Sequence, residues 1–126
     1  DVSQFSVYGS GHVGIAGAII EKTNVPEILK LNCLATDFYR GESFPTYLLY
    51  NPFGEEKTVS YQTKNPQKVD LYDALSHQLI LKNVTQSGKI TIPMQGSRLI
   101  VEIPAGAKII LKAGKYYVNN TVISYL

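Results

Sequence analysis

From Phe44 onward the chain is a succession of short apolar runs, several of them alternating with polar residues, closed by turn-forming residues roughly every ten positions. Alternation at period two places one set of side chains on each face of a strand, and it is incompatible with a helix. Thr46-Tyr47-Leu48-Leu49-Tyr50 is dense enough for a core strand and stops at Asn51-Pro52, with Gly54 completing a turn. Val59 and Tyr61 then share a face, with Thr58 and Ser60 on the other. Val69 and Leu71 alternate before Asp73 opens a turn, and Leu79 to Leu81 form the heart of the next run. Ile90 and Ile92 follow a turn expected at Ser87-Gly88. Leu99, Val101 and Ile103 are expected to face the core, with Arg98 and Glu102 pointing away.

Pro104-Ala105-Gly106 breaks the chain before Lys108 to Leu111. Tyr116-Tyr117-Val118 and Thr121-Val122-Ile123 flank Asn119-Asn120, a pair that tolerates the positive φ of a two-residue hairpin loop. About eight such strands without helical crossovers imply a mainly β fold, an antiparallel β-sandwich of Greek-key, immunoglobulin-like or jelly-roll type.

Residues 1–43 differ in character and are read as a separate N-terminal segment ahead of a module at 44–126. Asn24 is a candidate helix cap, with Glu27 three residues on and Pro26 in the first turn. Ile28, Leu29 and Leu31, then Leu34 and Ala35, give a stripe at helical spacing. The expectation is one short helix of two to three turns ending before Gly41. The apolar residues Val13 to Ile20 and this stripe are expected to cover part of a sheet, with leftover apolar area near the glycine loop.

A length of 126 residues suits one domain with a true core, and 44% apolar against 17% charged residues is globular. A net charge of +2 from lysines and arginines scattered along the chain gives no electrostatic case for nucleic acid. Cys33 is the single cysteine, so no intrachain disulfide forms. Asn83-Val84-Thr85 and Asn119-Asn120-Thr121 are glycosylation sequons, relevant in a secreted eukaryotic protein. No apolar run is long enough for a membrane-spanning helix. The chain begins at Asp1, which suggests a processed product or a piece of something longer.

Gly9-Ser10-Gly11-His12-Val13-Gly14 matches the glycine pattern of dinucleotide-binding loops, yet no parallel strand–helix–strand unit follows it. No cofactor is expected. A small enzyme using this loop is the weakest of the readings considered. His12 and His77 are the only histidines, and no ligand-spaced cysteines or carboxylates accompany them, so no metal is expected. Ser10, His12 or His77, and Asp70 or Asp73 form a triad only on paper, without a nucleophile elbow. Asp70, Asp73, Glu55 and Glu56 are read as turn acids rather than as a glycosidase pair.

Nine tyrosines without a tryptophan leave one binding chemistry open, stacking on sugar rings. The candidate ligand residues are Tyr47, Tyr50, Tyr72 and His12, the last because surrounding glycines leave its ring accessible.

Several phrases resemble the C-terminal β-sandwich accessory domains of large bacterial carbohydrate-active enzymes, especially those of gut Bacteroidetes. These are Pro45-Thr46-Tyr47-Leu48-Leu49-Tyr50-Asn51-Pro52, Glu56-Lys57-Thr58-Val59, Val69-Asp70-Leu71-Tyr72-Asp73-Ala74, Ile90-Thr91-Ile92-Pro93, Ser97-Arg98-Leu99-Ile100-Val101 and Ile103-Pro104-Ala105-Gly106. The resemblance covers about two thirds of the chain, and its phrases are structural. It implies a non-catalytic module packed against a catalytic domain of a longer parent chain in polysaccharide utilisation. The implied setting is periplasmic or extracellular. No catalytic residue follows from it. The alternative role is an independent carbohydrate-binding module with a tyrosine platform.

Overall fold

The structure is a computed structural model that describes residues 19–33 and 44–126. Eleven strands run through them. They are β1 (Ile19–Lys22), β2 (Leu29–Asn32), β3 (Thr46–Tyr50), β4 (Lys57–Gln62), β5 (Val69–Asp73) and β6 (Gln78–Val84), then β7 (Ser87–Ile92), β8 (Ser97–Pro104), β9 (Ile110–Lys112), β10 (Lys115–Val118) and β11 (Thr121–Tyr125). Every named pairing is antiparallel. The fold is mainly β, as the period-two runs require.

Six strands form one sheet in the order β1-β2-β3-β8-β5-β6. Strands β4 and β7 form a two-stranded sheet, and β9, β10 and β11 form a third with β10 in the middle. Alternation along the central strands shows how the layers meet. On β5, Val69 and Leu71 enter one core cluster and Tyr72 the other. On β8, Ile100 joins the first, whereas Val101 and Ile103 join the second.

The first cluster also contains Val59 and Tyr61 of β4 and Ile90 and Ile92 of β7. The second contains Val118 of β10 and Ile123 of β11, with Leu99 packed against it. The central strands are therefore covered on both faces, by β4–β7 on one and by the three-stranded sheet on the other. Burying one large side chain such as Leu71 in such a core contributes about 1.5–3 kcal/mol.

The expected hairpin is present. Val118 pairs with Thr121, and Asn119 and Asn120 both have positive φ, at 49° and 65°. Leu99, Val101 and Ile103 do face a core. The chain break at Pro104-Ala105-Gly106 is made by Gly106 at φ 79°.

Three expectations need correction. Residues 24–33 do not start a helix: Thr23 to Ile28 close a hairpin, and Leu29 to Asn32 pair with Tyr50 to Tyr47 of β3. The Thr23 hydroxyl accepts from Val25 N at 3.1 Å and donates to Ile28 O at 2.8 Å, which organises that turn. Asn24 Oδ1 accepts from Ser60 N of β4 at 2.8 Å instead of capping a helix. A two- to three-turn helix is marginal alone in water, whereas β3 offers this segment a full ladder. The rest of the expected helix, 34–40, lies outside the described residues, as does the expected covering of a sheet by Val13 to Ala18.

Across the expected boundary at Phe44, β2 pairs with β3 in the same sheet. The turn before β7 sits earlier than expected: Gln86 takes φ 66°, and Gly88 lies within the strand opposite Tyr61. A Cβ at Gly88 would meet Leu81 Cδ2 at 2.5 Å, so this glycine allows close approach of β6 side chains.

The third correction is Glu102. It points away from Val101, as alternation demands, but not into solvent. The face it occupies is covered by β4, and its exposure is 0%.

Candidate functional site

Two polar assemblies stand out, one enclosed and one open. The enclosed one centres on Lys30 and Glu102. Strand phase puts Ile28 and Lys30 on the face of β2 that looks towards β4, so the ammonium enters the layer interface. Lys30 Nζ lies 4.1 Å from the ring centres of both Tyr47 and Tyr61 and donates to Gln62 O at 2.6 Å. Glu21 Oε1 is 3.8 Å away. The two rings meet edge to face with centroids 6.0 Å apart. Burial holds the Lys30 ammonium below its ordinary pKa, against the opposing pull of Glu21 and Glu102.

Glu102 accepts from the Tyr61 hydroxyl at 2.7 Å, from Lys64 N at 2.9 and 3.0 Å, and from Asn65 N at 2.9 Å. The cluster closes the β4–β5 loop over the sheet and admits no ligand, since Lys30 is 4% exposed and Tyr61 1%.

The other buried acids are equally engaged. Asp73 receives Arg98 Nη1 at 2.9 Å, Leu99 N at 3.0 Å, Leu75 N at 3.1 Å and Ser76 Oγ at 2.8 Å. Arg98 Nε also donates to Thr91 O at 3.0 Å, which ties the six-stranded sheet to β7. Asp70 receives Asn83 N at 2.9 Å and Gly106 N at 3.0 Å. Asp70 and Asp73 are therefore buried strand residues that hold turns in place, whereas Glu55 and Glu56 are exposed turn acids.

Of the ligand candidates, Tyr47 and Tyr72 are each 1% exposed and form parts of different cores. Tyr72 Oη is 2.9 Å from Ser124 Oγ. Tyr50 is half-buried at the end of β3, and His12 lies outside the described residues with the whole Gly9–Gly14 loop. Among the described candidates, Tyr47 and Tyr72 lie in two different core clusters. Tyr47 and Tyr72 are enclosed side chains and expose no ring face to solvent. His77 stacks on Tyr116, with centroids 4.8 Å apart and planes at 18°, and its Nε2 is 2.8 Å from Tyr125 O. Among the described residues no cluster of three or more His, Cys, Asp or Glu could hold a metal. None of their helices is long and apolar enough to cross a membrane.

The open assembly lies on the outer face of the three-stranded sheet. Register pairs Ile110 with Tyr117 and Lys112 with Lys115, so these four share a face, while Leu111 and Tyr116 share the other. Tyr116 packs towards the core. A groove of about 470 Å³ runs along the outer face, lined by Lys108, Ile110, Lys112, Tyr117, Asn119 and Asn120. That volume is within the ordinary range of ligand pockets. The asparagines project from the β10–β11 turn, and Ala113 of the β9–β10 turn closes the other end. Four residues of β10 set its length at about 13 Å.

One signal for this groove was present in the chain. Residues 103–126 contain three lysines and no Asp or Glu, while residues 1–102 contain nine basic and ten acidic residues. Basic residues are scattered, as expected, but acidic ones are not.

Comparison of the chain with protein-family models, curated proteins and solved structures finds no match.

Proposed function

We propose that the chain is a non-catalytic accessory β-sandwich module of a polysaccharide-processing protein, packed against a catalytic domain of a longer parent chain in the periplasm or outside the cell. The observation that carries the non-catalytic part is the state of the buried acids. Asp70, Asp73 and Glu102 all accept hydrogen bonds from backbone N–H groups of turns and neighbouring strands. Acid–base or nucleophilic carboxylates need a proton or an electrophile within reach, and these three face turns instead. The resemblance of the strand phrases to accessory domains supplies the association with polysaccharides and with a catalytic neighbour.

The test has two arms. The purified chain is incubated with neutral and acidic polysaccharides while reducing ends and unsaturated products are measured; the expected result is no product. The parent catalytic domain is then melted with and without this module attached, and the module is expected to raise its Tm. Product formation proportional to chain concentration overturns the non-catalytic reading. An unchanged Tm overturns the accessory one.

A further inference from the structure

We propose that the groove along β10 binds an anionic polysaccharide, a chain whose sugars carry carboxylate or sulfate groups. This inference rests on the accessory-module reading and names the substrate class that the module would engage.

Three features of the groove point the same way. Among the described residues its lysines form no ion pair: Lys108 and Lys112 line it, Lys115 shares the face, and no acidic residue occurs after Glu102. Residues 103–126 carry three lysines and no acid, whereas residues 1–102 carry nine basic and ten acidic residues, a charge asymmetry that favours an anionic ligand at this sheet. Tyr117 is half-buried and lines the groove beside Ile110, offering a ring face of the kind that stacks on the apolar side of a pyranose. Asn119 and Asn120 are exposed at one end, held by their turn, and present both donors and acceptors to sugar hydroxyls.

The groove is open and extends for the length of a strand, which suits a segment of a polymer rather than a single enclosed sugar. A single-stranded nucleic acid, with its phosphodiester backbone and stacking bases, would call for a broader basic surface with several exposed rings. Only Tyr117 supplies a ring to this lining.

Affinity electrophoresis of the full chain through gels containing polygalacturonate, heparin, hydroxyethylcellulose or no polymer tests this, with single-stranded DNA binding measured in parallel. Retardation by polygalacturonate or heparin, and not by the neutral cellulose ether, is expected. The first two arms separate carboxylate from sulfate recognition. The double variant Lys108→Ala/Lys112→Ala and the single variant Tyr117→Ala should each weaken that binding by about tenfold. The double variant Lys82→Ala/Lys89→Ala, an equal charge loss at exposed positions of β6 and β7, should leave it unchanged. Salt at 1 M, where the screening length falls to about 3 Å, should abolish it.

The lysines are exposed and Tyr117 is half-buried, so matching melting curves will separate lost binding from lost folding. Absence of retardation by both anionic glycans overturns the proposal. So does equal retardation by the neutral polymer, binding indifferent to the groove variants, or stronger groove-dependent binding of DNA. Each of those outcomes leaves the accessory reading standing if the module still stabilises its catalytic neighbour.

Discussion

The Tyr61 hydroxyl donates a 2.7 Å hydrogen bond to Glu102, joining β4 to β8 through two side chains that are both fully enclosed. Glu102 also receives Lys64 N and Asn65 N, so one carboxylate connects two layers and a loop. Removing it leaves the buried Tyr61 hydroxyl and two part-buried backbone amides without their acceptor. Glu102→Ala should therefore cost about 3–5 kcal/mol, and Glu102→Gln less, as read from urea denaturation midpoints.

Lys30 sits between the Tyr47 and Tyr61 rings on the same side of the sheet as Glu102, and the two charges attract. A double-mutant cycle with Lys30→Met and Glu102→Gln should give a favourable coupling of about 1 kcal/mol. Additive losses would place the two groups in separate networks.

The same cluster sets the alkaline limit of the fold. Burial first, then the charge of Glu102, raises the Tyr61 phenol above its ordinary pKa of 10.0, and burial does the same to Tyr47. A raised pKa contributes stability that is complete below pH 10 and is lost as pH rises beyond it. Lys30 has the opposite sign. Its lowered pKa means the unfolded chain holds that proton more tightly, so stability rises with pH until the ordinary value of 10.5. Urea midpoints should thus climb slightly towards pH 10 and then fall. Lys30→Met should remove the climb, and Tyr61→Phe should soften the fall.

Val101 is 4% exposed between β8 and the three-stranded sheet. Val101→Asp puts an unpaired charge into that core and should abolish cooperative folding. A variant with native near-ultraviolet dichroism and a sharp melt would contradict this packing.

Ala113 has φ 52° in the β9–β10 turn, ahead of Gly114 at φ 75°. Alanine is disfavoured there, and Asn-Gly is the preferred pair for such a loop. Ala113→Asn should stabilise the protein by about 1 kcal/mol, visible as a higher Tm.

The strands of the module could be read from the chain wherever one side of the alternation is plainly polar or a turn is chemically marked. Thr58 to Gln62 and the Asn119-Asn120 hairpin are of this kind. Period-two reasoning also sent Leu99, Val101 and Ile103 inward correctly. It misplaced Glu102 because it assumed that the opposite side of a strand is wet, whereas β4 and β7 cover it. Ile28 to Leu31 misled for a related reason. Leu29 and Leu31 take one side and Ile28 and Lys30 the other, and with both sides buried the apolar spacing suits a helix equally well. For the groove, no tyrosine count could separate Tyr117 from the enclosed Tyr47 and Tyr72. That distinction depends on which strands have a sheet in front of them.

Strand β8 lies between β3 and β5, yet it comes after both in the chain. Until residues 97–104 emerge from the ribosome, β1–β2–β3 and β5–β6 have no strand in common, and Tyr61 has no Glu102 to meet. Long-range pairing of this sort makes folding slow and leaves early strand edges open to other chains. Assembly of the central sheet must therefore wait for β8, the eighth of the eleven strands in chain order, and until then the edges of β3 and β5 stay open to pairing with other chains.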